Sequence, residues 1–254
     1  MPDWIGAFVQ TGKVRVWEVS AHRVEMRDVQ DPETFQDWAR SAAVPIVASG
    51  LPVTARAVPS IPLTEVTRTG IAPNVAAIPG LSQAQPAGRS RGLETAIAGY
   101  LHNQPGFDGV LCLQAEENMW AQVSAGEVVS FQTFLTPQLQ DALDGGTAVT
   151  AEFDAAVTDT VSHPERLARH LSSAKAQESP DRITGHLIGA ELAAAKPYWL
   201  GQRVVILGDG PVLHTHALTG LGAMPEAGPL DDMMLDGLRL AYEQAITSTG
   251  HQLN

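Results

Sequence analysis

Apolar and polar residues alternate in two stretches of the chain, and each stretch predicts three antiparallel strands joined by short turns. The strands are expected over 5–9, 14–19 and 23–27 in the first stretch and over 108–113, 119–123 and 128–134 in the second. In each stretch a Gln begins the first turn (Gln10 and Gln114) and a Trp lies in the second strand (Trp17 and Trp120). The restarted pattern is explained equally well by an internal duplication and by chance similarity of two common hairpins.

The spacing of apolar residues elsewhere predicts helices. Asp31 is the expected N-cap of a helix over 32–42, with Phe35, Trp38 and Ala39 on one face. Residues 51–90 are rich in Pro, Gly, Ala and Ser, which predicts loops and short strands. Further helices are expected over 92–102, 136–143, 164–173, 181–195, 212–220 and 230–247, and short strands over 45–50 and 203–207.

The composition is that of an acidic globular protein. The 254 residues are 44% hydrophobic and 17% charged, and 16 Lys and Arg against 28 Asp and Glu give a net charge of −12. This charge argues against a nucleic-acid partner, because it would repel a phosphate backbone. The single Cys excludes an internal disulfide framework, and no apolar run approaches the roughly 18–20 residues of a membrane span. The first residues lack the features of a secretory signal, so we expect a cytoplasmic protein.

Two turns contain residues suited to phosphate. In Gln10-Thr11-Gly12-Lys13, backbone amides, a hydroxyl and an ammonium group can cradle a phosphate, although a plain hairpin turn explains the same residues. Gly208-Asp209-Gly210-Pro211 follows a predicted strand and precedes a predicted helix, where an α/β fold presents amides to a nucleotide. This stretch is shorter than a dinucleotide fingerprint, and a tight strand-to-helix turn is the alternative.

Charged residues mark two further segments. Glu116 and Glu117 follow a predicted strand and could position Mg²⁺ or act as a base, or else lie on a solvated loop. Arg91 and Glu94 open a predicted helix, where the Arg and the free amides would suit the carboxylate of a sugar acid. A helix start with a surface ion pair is the alternative.

Three other features carry no site. His214 and His216 are two residues apart on a predicted helix, so their side chains face different directions and we assign no metal. Cys112 lies in an apolar strand and is expected in the core. The nucleophile elbow of the α/β-hydrolases and the Walker phosphate loop are both absent from the sequence.

Together these segments resemble the 2-dehydro-3-deoxygalactonokinases, sugar-acid kinases of the actin/hexokinase/Hsp70-like superfamily. The similarity covers nearly the whole chain and is clearest at Arg91-Gly92-Leu93-Glu94-Thr95, where the family typically has Arg-Gly-Glu-Glu-Thr. Other matches are Ile78-Pro79-Gly80-Leu81, Trp120, residues 131–139 and Gly185-His186-Leu187-Ile188-Gly189-Ala190-Glu191.

The chain differs from the family pattern at the positions that handle phosphate. Phe8 stands where the family has the Asp expected near Mg²⁺, and Gln10 stands where it has a Gly that allows close approach. In the second hairpin, Ala115-Glu116 replaces Gly-Thr and Met119 replaces Lys. Near the C-terminus, Leu207-Gly208-Asp209 stands where the family has an Ala-Gly-Thr nucleotide loop.

The resemblance implies an α/β, two-lobed actin-like ATPase fold with ribonuclease-H-like lobes at 1–104 and 105–254 and the C-terminal helix packed back on the first lobe. It implies ATP-dependent phosphorylation of a 2-keto-3-deoxy sugar acid, with ATP and Mg²⁺ as cofactors. The residues implied are Thr11, Lys13, Arg15, Gly208, Asp209 and Gly210 for phosphate and nucleotide, Arg91 and Glu94 for the sugar acid, and Glu116 or Glu117 for the missing acid.

Phosphoryl transfer depends on neutralising charge with Mg²⁺, amides and cations, so the changed positions predict an activity that is weak or lost. A non-catalytic sugar-acid-binding or regulatory relative of the kinases is the alternative. A hydrolase that uses Glu116 and Glu117 lacks any supporting spacing. The expected partner is a small-molecule sugar acid, with no nucleic acid and no membrane, and a homodimer is left open.

Overall fold

A computed structural model describes residues 2–29, 31–209 and 212–250. The chain forms two compact units, one made of residues 1–107, 123–130 and 230–254 and the other of residues 108–122 and 131–229. The interpretation of the chain as two ribonuclease-H-like lobes at 1–104 and 105–254 stays a prediction. Within the described residues, no helix is both long and apolar enough to cross a membrane.

The first unit is built on a six-stranded sheet in the order β3-β2-β1-β4-β7-β6. An antiparallel meander at one side comprises β1 (Trp4–Val9), β2 (Val14–Ser20) and β3 (Arg23–Val29). Beside β1 lie the parallel strands β4 (Ile46–Ser49) and β7 (Val75–Ala77), and then the antiparallel β6 (Thr67–Arg68). A small separate sheet contains β5 (Arg56–Ala57), β8 (Leu81–Gln83) and β9 (Gly88–Arg89).

Helix α1 (Pro32–Ser41) covers one face of the large sheet. As predicted, Asp31 is its N-cap, and the carboxylate accepts a hydrogen bond of 2.8 Å from the backbone N–H of Thr34. Phe35 and Ala39 are fully buried in a core that also contains Val16 of β2. This helix therefore lies where its capping residue and its apolar stripe predict.

Two long helices of the first unit pack on one another, α2 (Leu93–Asn103) and the C-terminal α9 (Leu230–Gly250). α9 also contacts β1, where the ring of Tyr242 stacks on Trp4 with centroids 4.5 Å apart. α9 belongs to the same compact unit as the N-terminal residues. The expectation that the C-terminal helix packs back on the first part of the chain is confirmed.

A second sheet, most of which belongs to the second unit, has five strands in the order β12-β11-β10-β13-β14. Its strands are β10 (Gly109–Gln114), β11 (Asn118–Ser124), β12 (Glu127–Phe134), β13 (Val204–Leu207) and β14 (Glu226–Gly228). The helices of the second unit are α3 (Thr136–Ala142), α4 (Ala151–Ser162), α5 (Leu167–Ala176), α6 (Pro180–Ala194), α7 (Lys196–Trp199) and α8 (Val212–Gly220), with a 3₁₀ turn at Pro164–Arg166.

The two sheets repeat one topology. In each, three strands joined by short turns are followed by a strand that pairs in parallel with the first of them, β4 with β1 and β13 with β10. Each sheet then continues with another parallel strand, β7 or β14. Trp17 lies in β2 and Trp120 in β11, which are the matching second strands. The predicted equivalence of the two hairpins is therefore confirmed.

Three elements of the second unit were not predicted, namely α4, α7 and β14. The sequence of α4 is rich in β-branched residues, which have low helix propensity, so its pattern is indistinct. Its stability comes from packing on α6, where Gly185 and Gly189 leave room for the α4 backbone. The helix predicted over 164–173 begins as a 3₁₀ turn and becomes α-helical only at Leu167.

Candidate functional site

The carboxyl ends of β1 and β4 meet the beginning of α2 at one edge of the first sheet. Phe8 is paired with Ser49 across these parallel strands. Gly92 is the N-cap of α2, and its φ of +94° belongs to the left-handed region that favours glycine. A Cβ at this position would lie 2.9 Å from both the Phe8 ring and the Ser49 hydroxyl. The backbone of the Arg-Gly motif is thus held closely against both strand ends.

Glu94 is buried at this edge, with 0% of its surface exposed. One carboxylate oxygen accepts hydrogen bonds from the Ser90 hydroxyl at 2.5 Å and from the Gly92 N–H at 3.0 Å. Burial raises the pKa of Glu94 above its ordinary value, although the Ser90 and backbone hydrogen bonds and the Arg56 charge oppose that effect. The carboxylate therefore holds the loop that carries Arg91, whose own side chain is exposed.

Arg56 organises the loop region that precedes α2. Its guanidinium donates hydrogen bonds to the carbonyls of Ile61, Pro62 and Pro79 at 2.6, 2.9 and 3.1 Å. Burial lowers the pKa of Arg56, while the charge of Glu94 acts in the opposite direction. This residue was not among the predicted site residues, because its partners are carbonyls brought together only by the fold.

The turn between β1 and β2 is closed by a hydrogen bond of 2.9 Å from the Gln10 N–H to the Lys13 carbonyl. Thr11 is exposed on this turn, and the Lys13 ammonium lies 3.7 Å from Asp28. Arg15 donates to Asp28 at 2.9 Å and, more closely, to Asp231 at 2.5 Å. The hydrogen bond with Arg15 lowers the pKa of Asp28. Arg15 thus joins β2 to β3 and to the start of α9.

The corresponding edge of the second unit contains the other predicted residues. Glu116 and Glu117 lie half-buried in the turn between β10 and β11, and the exposed Asp209 follows β13. A Cβ on Gly208 would lie 2.8 Å from the side-chain oxygen of Gln114, so the ends of β10 and β13 are adjacent. The structure therefore brings the Glu-Glu turn and the Gly-Asp loop to one sheet edge. Gly210 lies outside the described residues.

A buried polar cluster behind this edge was missed by the sequence reasoning. Glu191 of α6 is 2% exposed and accepts hydrogen bonds from the Trp120 indole N–H at 2.8 Å and from the Asn118 amide at 2.9 Å. The Nε2 atom of His214 lies 3.2 Å from the same carboxylate. Burial acts to raise the pKa of Glu191, but the charge and hydrogen bond of His214, with bonds from Thr136 and Trp120, outweigh it and lower the pKa.

The Glu191 cluster fixes the two segments that flank the candidate phosphate residues. Asn118 begins β11 directly after Glu117, and His214 lies in the first turn of α8, just beyond the Gly-Asp loop. The sequence does contain a signal for this cluster. Glu191 lies three residues after Ile188 and one before Leu192, so it falls on the buried face of α6. A carboxylate on such a face indicates a buried partner.

The remaining candidates behave as structural groups. His216 contacts Asp154 at 2.7 Å while His214 contacts Glu191, so the two imidazoles face different partners, as expected. Burial raises the pKa of the Cys112 thiol, which lies in the core as predicted. Among residues 2–29, 31–209 and 212–250, no group of three or more His, Cys, Asp or Glu side chains could hold a metal ion.

A second buried polar group lies where α4, α5 and α6 meet. The Thr160 hydroxyl is 2.7 Å from His186 Nδ1 and 3.3 Å from His170 Nδ1, and the two imidazole rings have centroids 4.7 Å apart. Burial, and next the charge of His170, lower the pKa of His186 to about 4. His186 is therefore neutral in the native protein at neutral pH.

Acidification is expected to destabilise the native protein through His186. Between about pH 6.5 and about pH 4, the imidazole of residue 186 is protonated in the unfolded chain but stays neutral in the native protein. The unfolded state therefore binds more protons, and the free energy of unfolding falls as the pH drops through this range. Urea unfolding at pH 7 and pH 5 should show a smaller loss in His186→Gln than in the wild type. His22→Gln, in an exposed turn, is the control. Equal losses in His186→Gln and the wild type would contradict this prediction.

Comparison with known proteins places these features in a family. The model of the 2-keto-3-deoxy-galactonokinase family matches residues 18–241. No curated protein sequence matches the chain. A crystal structure from Sinorhizobium meliloti, described provisionally as a 2-dehydro-3-deoxygalactonokinase, superposes with a TM-score of 0.79 at 21% identity, covering 94% of this chain and 98% of that one.

More distant solved structures share less of the geometry. The ROK family glucokinase from Streptomyces griseus, solved with glucose and AMPPNP, has a TM-score of 0.46 at 13% identity over 94% of this chain and 99% of that one. Component A of the (R)-2-hydroxyglutaryl-CoA dehydratase from Acidaminococcus fermentans also has a TM-score of 0.46, at 14% identity over 95% and 98% of the two chains. The chain belongs to the 2-keto-3-deoxy-galactonokinase family and has the α/β, actin-like ATPase fold that the sequence predicted.

Proposed function

We propose that this chain is a 2-dehydro-3-deoxygalactonokinase-like protein of the cytoplasm that binds a 2-keto-3-deoxy sugar acid and whose ATP-dependent phosphoryl transfer is weak or lost. The observation that carries the proposal is the place of Phe8. Its ring is 4% exposed at the carboxyl end of β1 and lies close to Gly92, where the family has the carboxylate expected near Mg²⁺. A buried phenyl ring offers no ligand to a cation that prefers oxygen.

The hairpin of the second unit supports the same conclusion. Met119, which replaces a Lys of the family, has 0% of its surface exposed, so no cation replaces the Lys at this position. Glu116 and Glu117 occupy the turn where the family presents Gly-Thr to phosphate. A like-charge contact at about 4 Å costs about 4 kcal/mol near a protein surface, and half of that after screening still weakens binding more than tenfold.

An active enzyme would use ATP and Mg²⁺ as cofactors, with Thr11, Lys13, Gly208 and Asp209 near the phosphates or nucleotide. The donor set of the first sheet edge does not fit a metal ion, because Phe8 provides no oxygen and the buried Glu94 already accepts hydrogen bonds from Ser90 and Gly92. Glu116 or Glu117 would then have to supply the acid.

Separate calorimetric titrations with Mg-ATP and with 2-dehydro-3-deoxygalactonate, followed by a coupled assay of ATP consumption, test the proposal. We expect binding of the sugar acid, weak binding of Mg-ATP, and turnover far below the roughly 1–100 s⁻¹ of ordinary kinases. Sugar-acid binding with no nucleotide binding at all would favour the alternative, a non-catalytic binding or regulatory protein. Turnover of about 1 s⁻¹ or faster would contradict the proposed loss of activity.

Replacement of both acids of the turn, by Glu116→Gln together with Glu117→Gln, is expected to strengthen Mg-ATP binding by about tenfold or more. The double variant removes two negative charges that would repel the phosphates of the nucleotide. Calorimetry with Mg-ATP measures the change. Glu127→Gln, at the exposed first residue of β12, is the control for a general change in net charge. Weaker nucleotide binding in the double variant would instead show that these carboxylates hold Mg²⁺.

Arg91 is proposed to bind the carboxylate of the sugar acid, with Glu94 as the buried residue that positions the Arg91 loop. A bidentate contact of this kind contributes about 1.5–3 kcal/mol, so Arg91→Ala is expected to weaken sugar-acid binding by about tenfold or more. Calorimetry with 2-dehydro-3-deoxygalactonate measures the effect. Arg89→Ala removes an exposed Arg from the same segment and should leave the affinity unchanged. Equal effects of the two variants would contradict a specific role.

A further inference from the structure

The outer strand of the first sheet is unusually open. Six of the seven residues of β3 are exposed, including Val24 at 40% and Met26 at 52%. The equivalent outer strand of the second sheet, β12, is bridged on the backbone by Ser60, which exchanges two hydrogen bonds with Val128. In the part of the chain that the structure describes, β3 has β2 as its only strand neighbour. Part of the outer edge of β12 is thus covered by Ser60, whereas the outer edge of β3 is open.

The geometry of the β2–β3 turn tells which backbone groups of β3 point outward. Ser20 and Arg23 pair across a two-residue turn. Such turns are closed by a hydrogen-bonded pair, and these pairs alternate along an antiparallel ladder. The odd-numbered residues of β3 therefore bond to β2. The N–H and C=O groups of Val24, Met26 and Asp28 point toward the open edge.

We propose that β3 is a docking surface for a second copy of this chain, with the two β3 strands paired antiparallel about a twofold axis at Met26. Residues directly opposite each other in an antiparallel pair point to the same face of the sheet, and a twofold axis perpendicular to the sheet preserves the faces. Two opposed residues must therefore be both even-numbered or both odd-numbered, so the sum of their numbers, which defines the register, is even. A sum of 52 opposes Met26 to the partner's Met26 and pairs all seven residues, 23 to 29. The outward-pointing groups then form about six hydrogen bonds.

The charges of β3 select this register. With a sum of 52, Glu25 lies opposite the partner's Arg27, and the twofold axis repeats that contact. With a sum of 50, Glu25 would face the partner's Glu25, and with a sum of 54, Arg27 would face the partner's Arg27. Opposite charges directly across a strand pair stabilise it and like charges destabilise it, each by up to about 1 kcal/mol. The strand is thus complementary to itself in the one register that pairs its full length.

The existing ion pairs of β3 do not block this contact. Arg27 donates to Glu18 at 3.0 Å, and Arg23 lies 2.5 Å from Glu25, but the side chains of all four residues retain between 29% and 76% of their exposure. Exposed pairs of this kind contribute about 0–1 kcal/mol. Arg27 and Glu25 can therefore exchange their present partners for residues of the second copy at little cost in free energy. Burial of the apolar surface of Met26 favours the dimer.

A charge-exchange series tests the docking surface by sedimentation over a range of protein concentrations. Glu25→Arg changes the net charge from −12 to −10 and Arg27→Glu changes it to −14, yet each opposes like charges in the proposed register. We expect the wild type to dimerise and each single variant to have a dimer dissociation constant at least about tenfold higher. The double variant should restore the dissociation constant of the wild type. A monomeric wild type would overturn the proposal, and so would single variants that simply follow net charge.

A cross-linking experiment tests the register itself. Hydrogen-bonded pairs have Cα atoms about 5.5 Å apart, within the range of a disulfide, so Met26→Cys should form a covalent dimer on mild oxidation. Cys112 is buried and leaves the new thiol as the exposed one. His22→Cys, which is also exposed and lies in the β2–β3 turn, is the control for random collision. Equal cross-linking at positions 22 and 26 would overturn the register. Neither experiment depends on ligand binding or activity, so the proposed function can fail independently.

Discussion

Glu191→Ala is expected to lower the free energy of unfolding by about 3–5 kcal/mol, because it leaves two buried donors unsatisfied at about 1–3 kcal/mol each. The substitution leaves the Trp120 indole N–H and the Asn118 amide without the acceptor that they share, and it removes the carboxylate beside His214. All of these groups are buried, so water does not readily replace the lost acceptor. Urea unfolding measured by circular dichroism gives the change directly.

A further variant, Glu191→Gln, separates the buried charge from packing. It keeps the size of the side chain and one acceptor, so we expect about half the loss or less. Because the pKa of native Glu191 is lowered, the carboxylate contributes stability above the ordinary glutamate value near 4.3, and that contribution is lost as pH falls through the native pKa. The wild type should therefore lose more stability than Glu191→Gln on acidification below about pH 4. Glu165→Ala, an exposed acid in the same unit, is the control. A Glu191→Ala protein as stable as that control would contradict the assignment.

The strands and most helices of this chain could be predicted because their determinants are local. Alternation in β1 and β2, the turn between them and the Asp31 cap all lie within a few residues of the elements that they specify. The recurrence of that pattern near residue 108 predicts the second sheet by the same local logic. Local patterns therefore predict the strands and hairpins of both sheets, whereas the parallel pairing of β4 with β1 and of β13 with β10 joins segments that are distant in sequence.

The interior of the candidate site could not be predicted, because its contacts join distant parts of the chain. Glu191 lies 71 residues from Trp120, and Ser49 lies 46 residues from Thr95, although their side chains are within hydrogen-bonding distance. The sequence predicted Glu94 as a substrate-binding residue, which stays a prediction, and it gave no sign that the side chain is wholly buried beneath the Arg91 loop. Burial of a carboxylate depends on which donors the fold places around it, and this information is not local.

The crossing of α2 and α9 is the packing contact most sensitive to substitution. Gly99 and Gly237 face one another there, and a Cβ on Gly99 would collide with the backbone carbonyl of Met233, while a Cβ on Gly237 would collide with that of Thr95. Backbone atoms cannot move aside as a flexible side chain can. A methyl group at either position must push the two helices apart and loosen the contacts of α9 with β1, including the stack of Tyr242 on Trp4.

Gly99→Ala and Gly237→Ala are each expected to lower the free energy of unfolding by about 3 kcal/mol, the upper end of the usual cost of overpacking. This loss exceeds the gain of about 0.5–1 kcal/mol that alanine normally brings to a helix. Gly220→Ala, at the end of α8 with no atom within 4 Å of the added methyl group, is the matched control and should be neutral or slightly stabilising. Denaturant unfolding of the three variants decides the matter. If the crossing variants match Gly220→Ala, then the close approach of α2 and α9 is not what holds the C-terminal helix on the first unit.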